Sequence, residues 1–316
     1  MRLSVCHVLV LALSLVCQAH TQRSRSGNSR GSTRSNNRNN SRSSNNSNSS
    51  SSSSNSNNRN NGTRSNNFDG NIFLEKFGYL DDSPNHSHSP DTVKQAVIEF
   101  QRFNGLPVTG RMDKLTVTKM HQPRCGVPDV VKPNRRPQGL RRRGRNVPLA
   151  YNAPGYKWEQ SQISYKISRY TRQLGGSTQT QAILKAFQKW SEVTPLTFRP
   201  GSSKVDIDII FARREHGDGY GNSFDGKGGT LAHAFFPGRQ DIAGDTHFDD
   251  DEEWTMGTQR GTNLEIVAAH EFGHALGLGH SSNPKALMAP FYQGYDPNFK
   301  LDQDDIRGIQ SLYGMI

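Results

Sequence analysis

Three histidines and one glutamate near the C-terminal end have the spacing of a metal site. In VAAHEFGHALGLGH, His270 and His274 are four residues apart, which places both imidazoles on one face of a helix. Gly277 lets the helix end and the chain turn back, and this turn brings His280 to the same point. Three neutral nitrogens leave a fourth position for water, and Glu271 can take a proton from that water. The pattern therefore predicts a hydrolytic zinc site.

The alternative interpretation is a helix that contains two histidines and a glutamate by chance. The third histidine at a fixed offset and two glycines at the required positions make this alternative much weaker.

The first residues, MRLSVCHVLVLALSLVCQA, have the plan of a secretory signal, with one basic residue, a short apolar run and a small residue before cleavage after Ala19. A membrane anchor is the alternative, but the run is short for a bilayer span. Removal of this segment takes away Cys6 and Cys17. Cys125 is then an unpaired thiol in a chain that we expect to be exported, which calls for an explanation.

The net charge of +11 is concentrated in two segments. Residues 22–67 hold eight arginines and residues 132–145 hold six arginines and one lysine, and neither segment has an acid, so the remainder sums to 11 − 15 = −4. Residues 146–316 carry 16 basic and 20 acidic side chains. The basic segments alone do not indicate nucleic-acid binding, because charge runs are usually just solvated.

The Asn/Ser/Arg-rich residues 20–67 lack apolar side chains for a core, and we expect them to be disordered. They contain four acceptor motifs for N-glycosylation, and they could tether the protein to acidic glycans or simply be solvated. The four motifs begin at Asn39, Asn45, Asn48 and Asn61.

Helical and strand patterns begin at Phe68. NIFLEKFGYL, DTVKQAVIEFQRFNG and MDKLTVTKMH predict three short helices. After a basic linker, QISYKI, VDIDIIF and TLAHAFF predict strands, and three further helices are predicted around TQTQAILKAFQKWSEV, NLEIVAAHEFGHALG and QDDIRGIQSLYG. A helix between the first two strands predicts a crossover in a partly parallel sheet.

The zinc motif, followed by Ser281 and by Met288 eight residues after His280, resembles the matrix metalloproteinases, the matrixin branch of the metzincins. The resemblance implies an α+β fold: a metzincin catalytic domain with a twisted, mostly parallel sheet and three helices, preceded by a small three-helix prodomain. It also implies a secreted zinc endopeptidase that cleaves extracellular or matrix proteins. Met288 would lie on a turn beneath the zinc as a packing residue.

The resemblance also explains the lone thiol. Matrixin propeptides carry P-R-C-G-x-P-D, and PRCGVPD matches it at every fixed position. Cys125 would then bind the catalytic zinc and displace the water that Glu271 needs, with Arg124 and Asp129 paired to hold the loop. The alternative is a stray buried cysteine.

Activation would require cleavage in the linker. RRGR, Arg142 to Arg145, fits a minimal proprotein-convertase site with cleavage after Arg145. Cleavage after Arg143, another protease, or a merely solvated linker are the alternatives.

Further ions are implied by the stretch from His216 to Trp254. A closed structural zinc site would use His216, Asp218, His233 and His247. One calcium would use side chains of Asp225, Asp249 and Glu252 with carbonyls of Gly226, Gly228 and Thr230. A second, less well matched, would use Asp206, Asp245 and carbonyls of Asp241 and Ala243. The cofactors expected are two Zn²⁺ and one or two Ca²⁺; a solvated acidic loop is the alternative.

Substrate contacts follow from the same resemblance. TLAHA, with Leu231 and Ala232, would be the edge strand that pairs with an extended peptide. Pro290 and Tyr292 would line the S1′ pocket and Ile266 would lie at its base, with core packing of Ile266 as the alternative.

The predicted organisation is a signal peptide (1–19), a disordered segment (20–67), an inhibitory prodomain (68–131), a basic activation linker (132–145) and a catalytic domain (146–316). We expect the minimal, matrilysin-like architecture without a hemopexin-like domain. Tissue-inhibitor-type proteins are possible partners; we expect a monomer with no nucleic-acid or membrane partner. Alternatives are a non-catalytic binding protein on this scaffold and an enzyme that dissolves a developmental coat.

Overall fold

The computed structural model describes residues 68–82, 84–131, 156–219 and 221–316, all of which belong to one compact unit, Thr63–Ile316. The predicted signal peptide, the Asn/Ser/Arg-rich segment, the linker and the cleavage position Arg145 lie outside the described residues. Within the described ranges, no helix has the length and apolar character needed to cross a membrane.

The N-terminal part contains the three predicted helices. They are α1 (Gly70–Lys76), α2 (Pro90–Phe103) and α3 (Lys114–Met120), with a short 3₁₀ turn at Pro84–His86. Each helix begins after a side chain that caps it by accepting a backbone N–H bond: Asp69, Ser89 and Asp113. Their apolar faces pack into one small core that includes Phe73, Leu74, Phe77, Val97 and Phe100. The expected three-helix prodomain is confirmed.

The C-terminal part is built on a six-stranded sheet with strand order β1-β5-β6-β4-β2-β3. Only the β5–β6 pair is antiparallel. The strands are β1 (Arg124–Cys125), β2 (Gln162–Arg169), β3 (Thr197–Pro200), β4 (Ile207–Ala212), β5 (Thr230–Ala234) and β6 (Thr246–Asp249). A separate parallel pair joins β7 (Trp254–Thr255) to β8 (Thr262–Asn263). The mostly parallel sheet is therefore as predicted.

Three helices, α4 (Gly176–Ser191), α5 (Leu264–Ala275) and α6 (Gln303–Tyr313), complete this part. The rings of Phe187 on α4 and Phe272 on α5 stack with centroids 3.9 Å apart. The indole of Trp190 donates to the carbonyl of Ala269 on α5 at 2.9 Å. The fully buried contact between α4 and α5 fixes the helix that carries the predicted metal ligands.

The crossover from β2 differs from the simplest expectation. Helix α4 leads first to β3, which pairs with β2 at the sheet edge, and the chain enters β4 only afterwards. The sequence did not reveal β3 because this edge strand is short, mostly exposed and ends in Pro200, so it lacks the alternation of a half-buried strand. Strand β6 was also missed, because its sequence THFD lies in the acidic stretch that reads as a metal-binding loop.

Candidate metal centre and adjoining cleft

Helix α5 holds His270, Glu271 and His274 in the interior. It begins at Asn263, whose side chain accepts the backbone N–H of Ile266 at 3.0 Å. Gly273 allows a close approach, because a Cβ atom there would lie 2.3 Å from the sulfur of Met288. The absence of a side chain at this position therefore lets the methionine pack directly beneath the histidines.

A glycine turn brings the third histidine to the other two. Gly277 has φ +106, and a Cβ atom there would lie 2.0 Å from the carbonyl oxygen of Tyr156. The backbone N–H of Leu278 then donates to the carbonyl of Gly273 at 2.9 Å as the chain leaves the helix. The turn places His280, which is fully buried, opposite α5.

The three Nε2 atoms face one another. The Nε2 of His270 lies 3.3 Å from that of His280 and 3.2 Å from that of His274. Each Nδ1 is occupied elsewhere: His270 by the carbonyl of Leu287, His274 by the carbonyl of Leu278, both at 2.7 Å, and His280 by Asp129 at 2.7 Å. Because the Nδ1 atoms donate these bonds, the converging Nε2 atoms present lone pairs. Such a set fits a bound cation.

Burial also keeps these rings neutral. Burial and the neighbouring His280 lower the pKa of His270 to about 3, and the same causes put the pKa of His274 well below its ordinary value. The pKa of His280 is lowered by burial, although Asp129 opposes the shift. Neutral imidazole is the form that binds zinc.

Glu271 is a buried carboxyl group beside the three histidines. Its Oε2 accepts a bond from the Cys125 thiol at 3.4 Å, while Oε1 has no hydrogen-bond partner in the described part of the chain. Burial raises the pKa of Glu271 to about 8. A carboxyl group with such a pKa is suited to accept and return a proton near neutral pH.

Cys125 completes a four-residue cluster. Its sulfur and one nitrogen from each of the three histidines all lie within 4.8 Å of one another. The side chain is buried, and the backbone N–H of Val127 donates to the sulfur at 3.3 Å. Burial and the Glu271 carboxyl raise the pKa of the thiol well above its ordinary value. A zinc ion would reverse this by favouring the thiolate.

The strand that carries the cysteine is held on both sides. On one side the backbone of Arg124 donates to Gly229 and that of Gly126 donates to Ala232, each at 2.8 Å, in a parallel pairing with β5. On the other side Cys125 donates to Pro290 at 2.9 Å, and Tyr292 donates to Pro123 at 3.0 Å. The cysteine strand therefore pairs with backbone groups of both β5 and the Pro290–Tyr292 segment.

The pair of Arg124 and Asp129 forms as the sequence predicts, with Nη2 and Oδ1 2.6 Å apart and both residues buried. The sequence did not reveal that the same Oδ1 lies 2.7 Å from the Nδ1 of His280, nor that Tyr79 donates to Oδ2 at 2.8 Å. Asp129 therefore joins the prodomain to a predicted metal ligand. The position of Asp129 in the PRCGVPD motif, four residues after Cys125, was the sequence signal that could have indicated this role.

The turn under the histidines is supported by two acids that the sequence analysis missed. Asp305 accepts the backbone N–H groups of Leu287 and Met288 at 2.8 and 3.0 Å, and its own pKa is raised to about 6 by burial. Asp304 accepts the hydroxyl of Ser281 at 2.6 Å. These bonds fix the loop that contains Met288 against the start of α6.

A cavity opens beside Cys125 and the metal cluster. Of the five residues predicted to contact substrate, four line it: Leu231, Ile266, Pro290 and Tyr292. Ala232 lies in β5 opposite Cys125, within the strand pairing. Ile266 also packs against the main core, so the two alternatives for this residue, pocket and packing, both describe part of its environment.

The second predicted zinc set is also brought together. The Asp218 Oδ2 atom lies 2.6 Å from Nε2 of His233, 2.5 Å from Nδ1 of His247 and 2.9 Å from Nε2 of His216. Their ligand atoms lie within 4.8 Å of one another. Burial lowers the pKa of His233 to about 4, and the contacts with His233 and His247 lower that of Asp218 despite its burial. Phe224 stacks on His216 at 4.6 Å.

The first predicted calcium set surrounds a glycine-rich loop. The backbone N–H groups of Gly226, Gly228 and Thr230 donate to carboxylates of Asp249, Glu252 and Asp225, respectively. Burial raises the pKa values of Asp249 and Glu252, that of Glu252 to about 7, and partial desolvation raises that of Asp225, although Asp225 is exposed to solvent. The three acids lie around one loop.

The second calcium set is less compact. The Asp206 carboxylate accepts bonds from Ser164, and Asp245 accepts the backbone N–H of Asp208 at 3.2 Å. The side chain of Asp241 is exposed and pairs with Lys204. Among the described residues, neither calcium set brings three ligand side-chain atoms within 4.8 Å of one another.

This fold and this three-histidine centre define a metallopeptidase-type scaffold. The pattern that describes the family Matrixin matches residues 157–314, and residues 70–120 match the pattern of a putative peptidoglycan binding domain, which here corresponds to the prodomain. The chain belongs to the matrixin family, whose members are zinc-dependent.

Individual relatives agree. The chain is 44% identical over 261 residues to Matrix metalloproteinase-16 of Homo sapiens, 51% over 224 residues to Macrophage metalloelastase of Oryctolagus cuniculus, and 44% over 244 residues to Hatching enzyme of Paracentrotus lividus. These matches cover 78%, 70% and 76% of this chain, but only 41%, 44% and 38% of the relatives. The chain therefore spans less than half of the length of these relatives.

Proposed function

We propose that this chain is the precursor of a zinc-dependent endopeptidase, and that Cys125 keeps it latent by binding the catalytic zinc. The observation that carries the proposal is the convergence of three neutral, oriented imidazoles with one buried thiol in a single cluster. Three nitrogens and one sulfur are a set that tetrahedral zinc accepts.

In the processed enzyme His270, His274 and His280 would hold the zinc, which supplies Lewis acidity and lowers the pKa of water at the open position. Glu271 accepts the proton of the attacking water and returns it to the leaving amine. Its position next to the ligands and the absence of a described partner for Oε1 support this role.

The cleft would position an extended peptide between β5 and the Pro290–Tyr292 segment. Both offer the backbone groups that pair with the cysteine strand in the precursor. The cavity lined by Leu231, Ile266 and Tyr292 would receive the P1′ side chain. Apolar lining favours leucine, methionine and phenylalanine at P1′.

Latency has two parts in this proposal. The sulfur of Cys125 takes the position that water needs, and its strand covers the peptide-binding edge of β5. Activation therefore requires loss of the prodomain by cleavage in residues 132–145. The RRGR sequence supports a proprotein convertase acting after Arg145, with Arg143 or another protease as alternatives.

The other ions would be structural. His216, Asp218, His233 and His247 form a closed four-ligand set that fits a second zinc. The carboxyl groups of Asp225, Asp249 and Glu252 lie around one loop and have raised pKa values, which supports one calcium ion there. The second calcium has weaker support, because the Asp206 carboxylate already accepts bonds from Ser164.

Secretion is supported by the signal-like residues 1–19, and protein substrates follow from the peptidase family. Extracellular or matrix proteins are the proposed substrates, with inhibition by tissue-inhibitor-type proteins. The relative named Hatching enzyme supports the alternative that the substrate is a developmental coat. A non-catalytic role is disfavoured, because the glutamate and all three histidines are in place.

A direct test uses the enzyme obtained from the full-length precursor after cleavage in the linker. It is incubated with an unbiased peptide library and, separately, with matrix proteins and egg-coat proteins. We expect internal cleavage before leucine, methionine or phenylalanine that a zinc chelator abolishes and added zinc restores. Cleavage that persists after complete zinc removal, or no cleavage by the zinc-loaded processed protein, would contradict the proposal. The two protein substrates distinguish matrix turnover from coat dissolution.

A further inference from the structure

Phe291 lies in the catalytic half of the sequence but is buried in the core of the prodomain. Only 2% of it is exposed, and every other member of its apolar cluster lies between residues 73 and 130. Its backbone bridges to Arg124 in the cysteine strand. The prodomain must therefore expose this ring when it departs.

Two cations cover the ring in the precursor. The ammonium of Lys119 lies 4.1 Å from the ring centroid. The guanidinium of Arg124 lies 4.8 Å from it and nearer to the ring of Phe77, at 3.4 Å, while Phe100 contacts the Phe291 ring edge-on at 6.4 Å. Cations within about 6 Å of an aromatic centroid are attracted by the negative face of the ring.

Phe291 contacts Lys119, a lysine that has no carboxylate partner within the described part of the chain. Lys119 is partly buried, and within the described ranges its ammonium contacts only the side-chain oxygen of Gln122, at 2.9 Å, and the Phe291 ring. Burial and the nearby guanidinium of Arg124 lower the pKa of this lysine. Arg124 differs, because Asp129 already neutralises it. The ring thus serves as a counterpart for positive charge.

The same ring borders the proposed substrate cleft. Phe291 stands between Pro290 and Tyr292 and lines the cavity that contains Ile266 and His270. A peptide that replaces the cysteine strand must pass beside it, because the backbone groups on either side of Phe291 are those that pair with Pro123 and Cys125.

We propose that Phe291 is a cation-accepting subsite of the processed enzyme, where a lysine or arginine of the protein substrate takes the place of Lys119 and Arg124. The proposal rests on the peptidase function proposed above. It is consistent with the charge of residues 146–316, which hold 16 basic and 20 acidic side chains, so that a basic substrate segment is not repelled. The competing possibility is that an apolar substrate side chain packs against the Phe291 ring, as Phe100 does in the precursor.

The test uses full-length protein processed by limited proteolysis, and peptide pairs that differ only by arginine or its neutral analogue citrulline, moved through each position flanking the cleaved bond. We expect the arginine peptide to have a higher kcat/KM at one position, by about two- to fivefold as an exposed cation–π contact allows. Phe291→Leu should bring this ratio close to one, and Phe291→Tyr should retain it.

The variants distinguish the effect of the Phe291 ring on the arginine preference from the effect of the overall charge of the domain. Phe291→Leu changes no charge, so attraction to the acidic domain is preserved. Tyr170→Leu removes an exposed aromatic side chain elsewhere, whose hydroxyl lies near Thr180 on α4, and should leave the ratio as in the wild type. If Phe291→Leu does not fold, as judged by thermal melting, Phe291→Met replaces it.

An arginine-to-citrulline ratio near one at every position in the wild type would overturn the inference, and so would a ratio that survives loss of the ring. A preference for apolar residues that depends on Phe291, without one for arginine, would assign the site to the competing occupant. Failure of the underlying function is distinguishable, because the wild type would then cleave neither peptide of any pair.

Discussion

The thiol of Cys125 lies 3.4 Å from the carboxylate of Glu271, across the cluster of three histidines. One prodomain side chain therefore reaches both the proposed fourth zinc position and the proposed proton acceptor. The contact is buried, since Cys125 is 5% exposed and Glu271 is not exposed at all. In the proposed function, latency would therefore be a chemical property of the site as well as steric cover.

Replacing Glu271 by alanine should reduce kcat of the processed enzyme by about 10²–10⁴-fold, the usual contribution of a general base. Zinc content and melting temperature should change little, because the side chain is no ligand in the proposal and its Oε1 lacks a described partner. Glu265→Ala is the matched control on the same helix, where the side chain pairs with Lys185. A Glu271→Ala enzyme with more than about a tenth of wild-type kcat is incompatible with the general-base role.

Asp129→Asn in the full-length chain should weaken latency. The substitution keeps the shape of the side chain but removes the negative charge that neutralises the buried Arg124, and it alters the bond to His280. Breaking a buried pair costs about 3–5 kcal/mol, so we expect measurable peptidase activity without linker cleavage. Asp91→Asn, at an exposed position of α2, is the control. Full latency of the Asp129→Asn precursor would show that this contact does not hold the prodomain.

The pKa of Glu252 predicts how calcium and pH act together. Burial raises this pKa from 4.5 to about 7, so the folded protein keeps a proton that the unfolded chain has released. The contribution of Glu252 to the free energy of unfolding without calcium should therefore fall as pH rises from about 4.5 to 7 and level off above. Calcium binds the ionised form, so its stabilising effect should grow over the same range.

Thermal melting across this pH range, with and without calcium, measures the effect. Glu252→Gln should make the calcium-free fall smaller by the contribution of this one carboxyl group, with the fall from Glu271 and Asp305 remaining, and it should reduce the calcium effect. The exposed neighbour Glu253, which pairs with Lys227, supplies the control Glu253→Gln. Identical pH profiles for wild type and Glu252→Gln would assign the loop to a solvated acidic segment.

Ile266→Tyr should change P1′ specificity. Ile266 lines the cavity one helical turn before His270, and a larger ring there should make the pocket shallow. We expect cleavage before phenylalanine to fall more than cleavage before leucine, as read from kcat/KM on matched peptides. Val267→Leu, a smaller change at the neighbouring lining position, serves as the comparison. An unchanged P1′ profile in Ile266→Tyr would leave this residue a packing role alone.

The sequence predicted the helices and the metal clusters because their signals are local. His270 and His274 share a helix face by spacing, and Gly277 with φ +106 is where a chain can turn. Strand β5 was predicted for the same reason, since TLAHA is short and apolar. The motif PRCGVPD also predicted the pair of Arg124 and Asp129.

The features that the sequence did not reveal depend on tertiary contacts. Nothing local indicates that Asp129 reaches His280, that Asp305 holds the turn of Met288, or that Phe291 joins the core of another domain. Strand β6 was hidden because its histidine and aspartate are those of a predicted ion site. His247 and Asp249 belong both to strand β6 and to a predicted ion site. The strand became evident only from its pairing with β4 and β5.

Zinc K-edge X-ray absorption of the full-length precursor tests whether Cys125 is a zinc ligand. With two zinc ions bound, we expect one sulfur at about 2.3 Å from one of them, which averages to about half a sulfur per zinc, because the second site has only nitrogen and oxygen ligands. The sulfur signal should vanish in Cys125→Ser and after processing. A precursor with both sites loaded and no sulfur in the zinc shell would show that Cys125 does not bind the zinc.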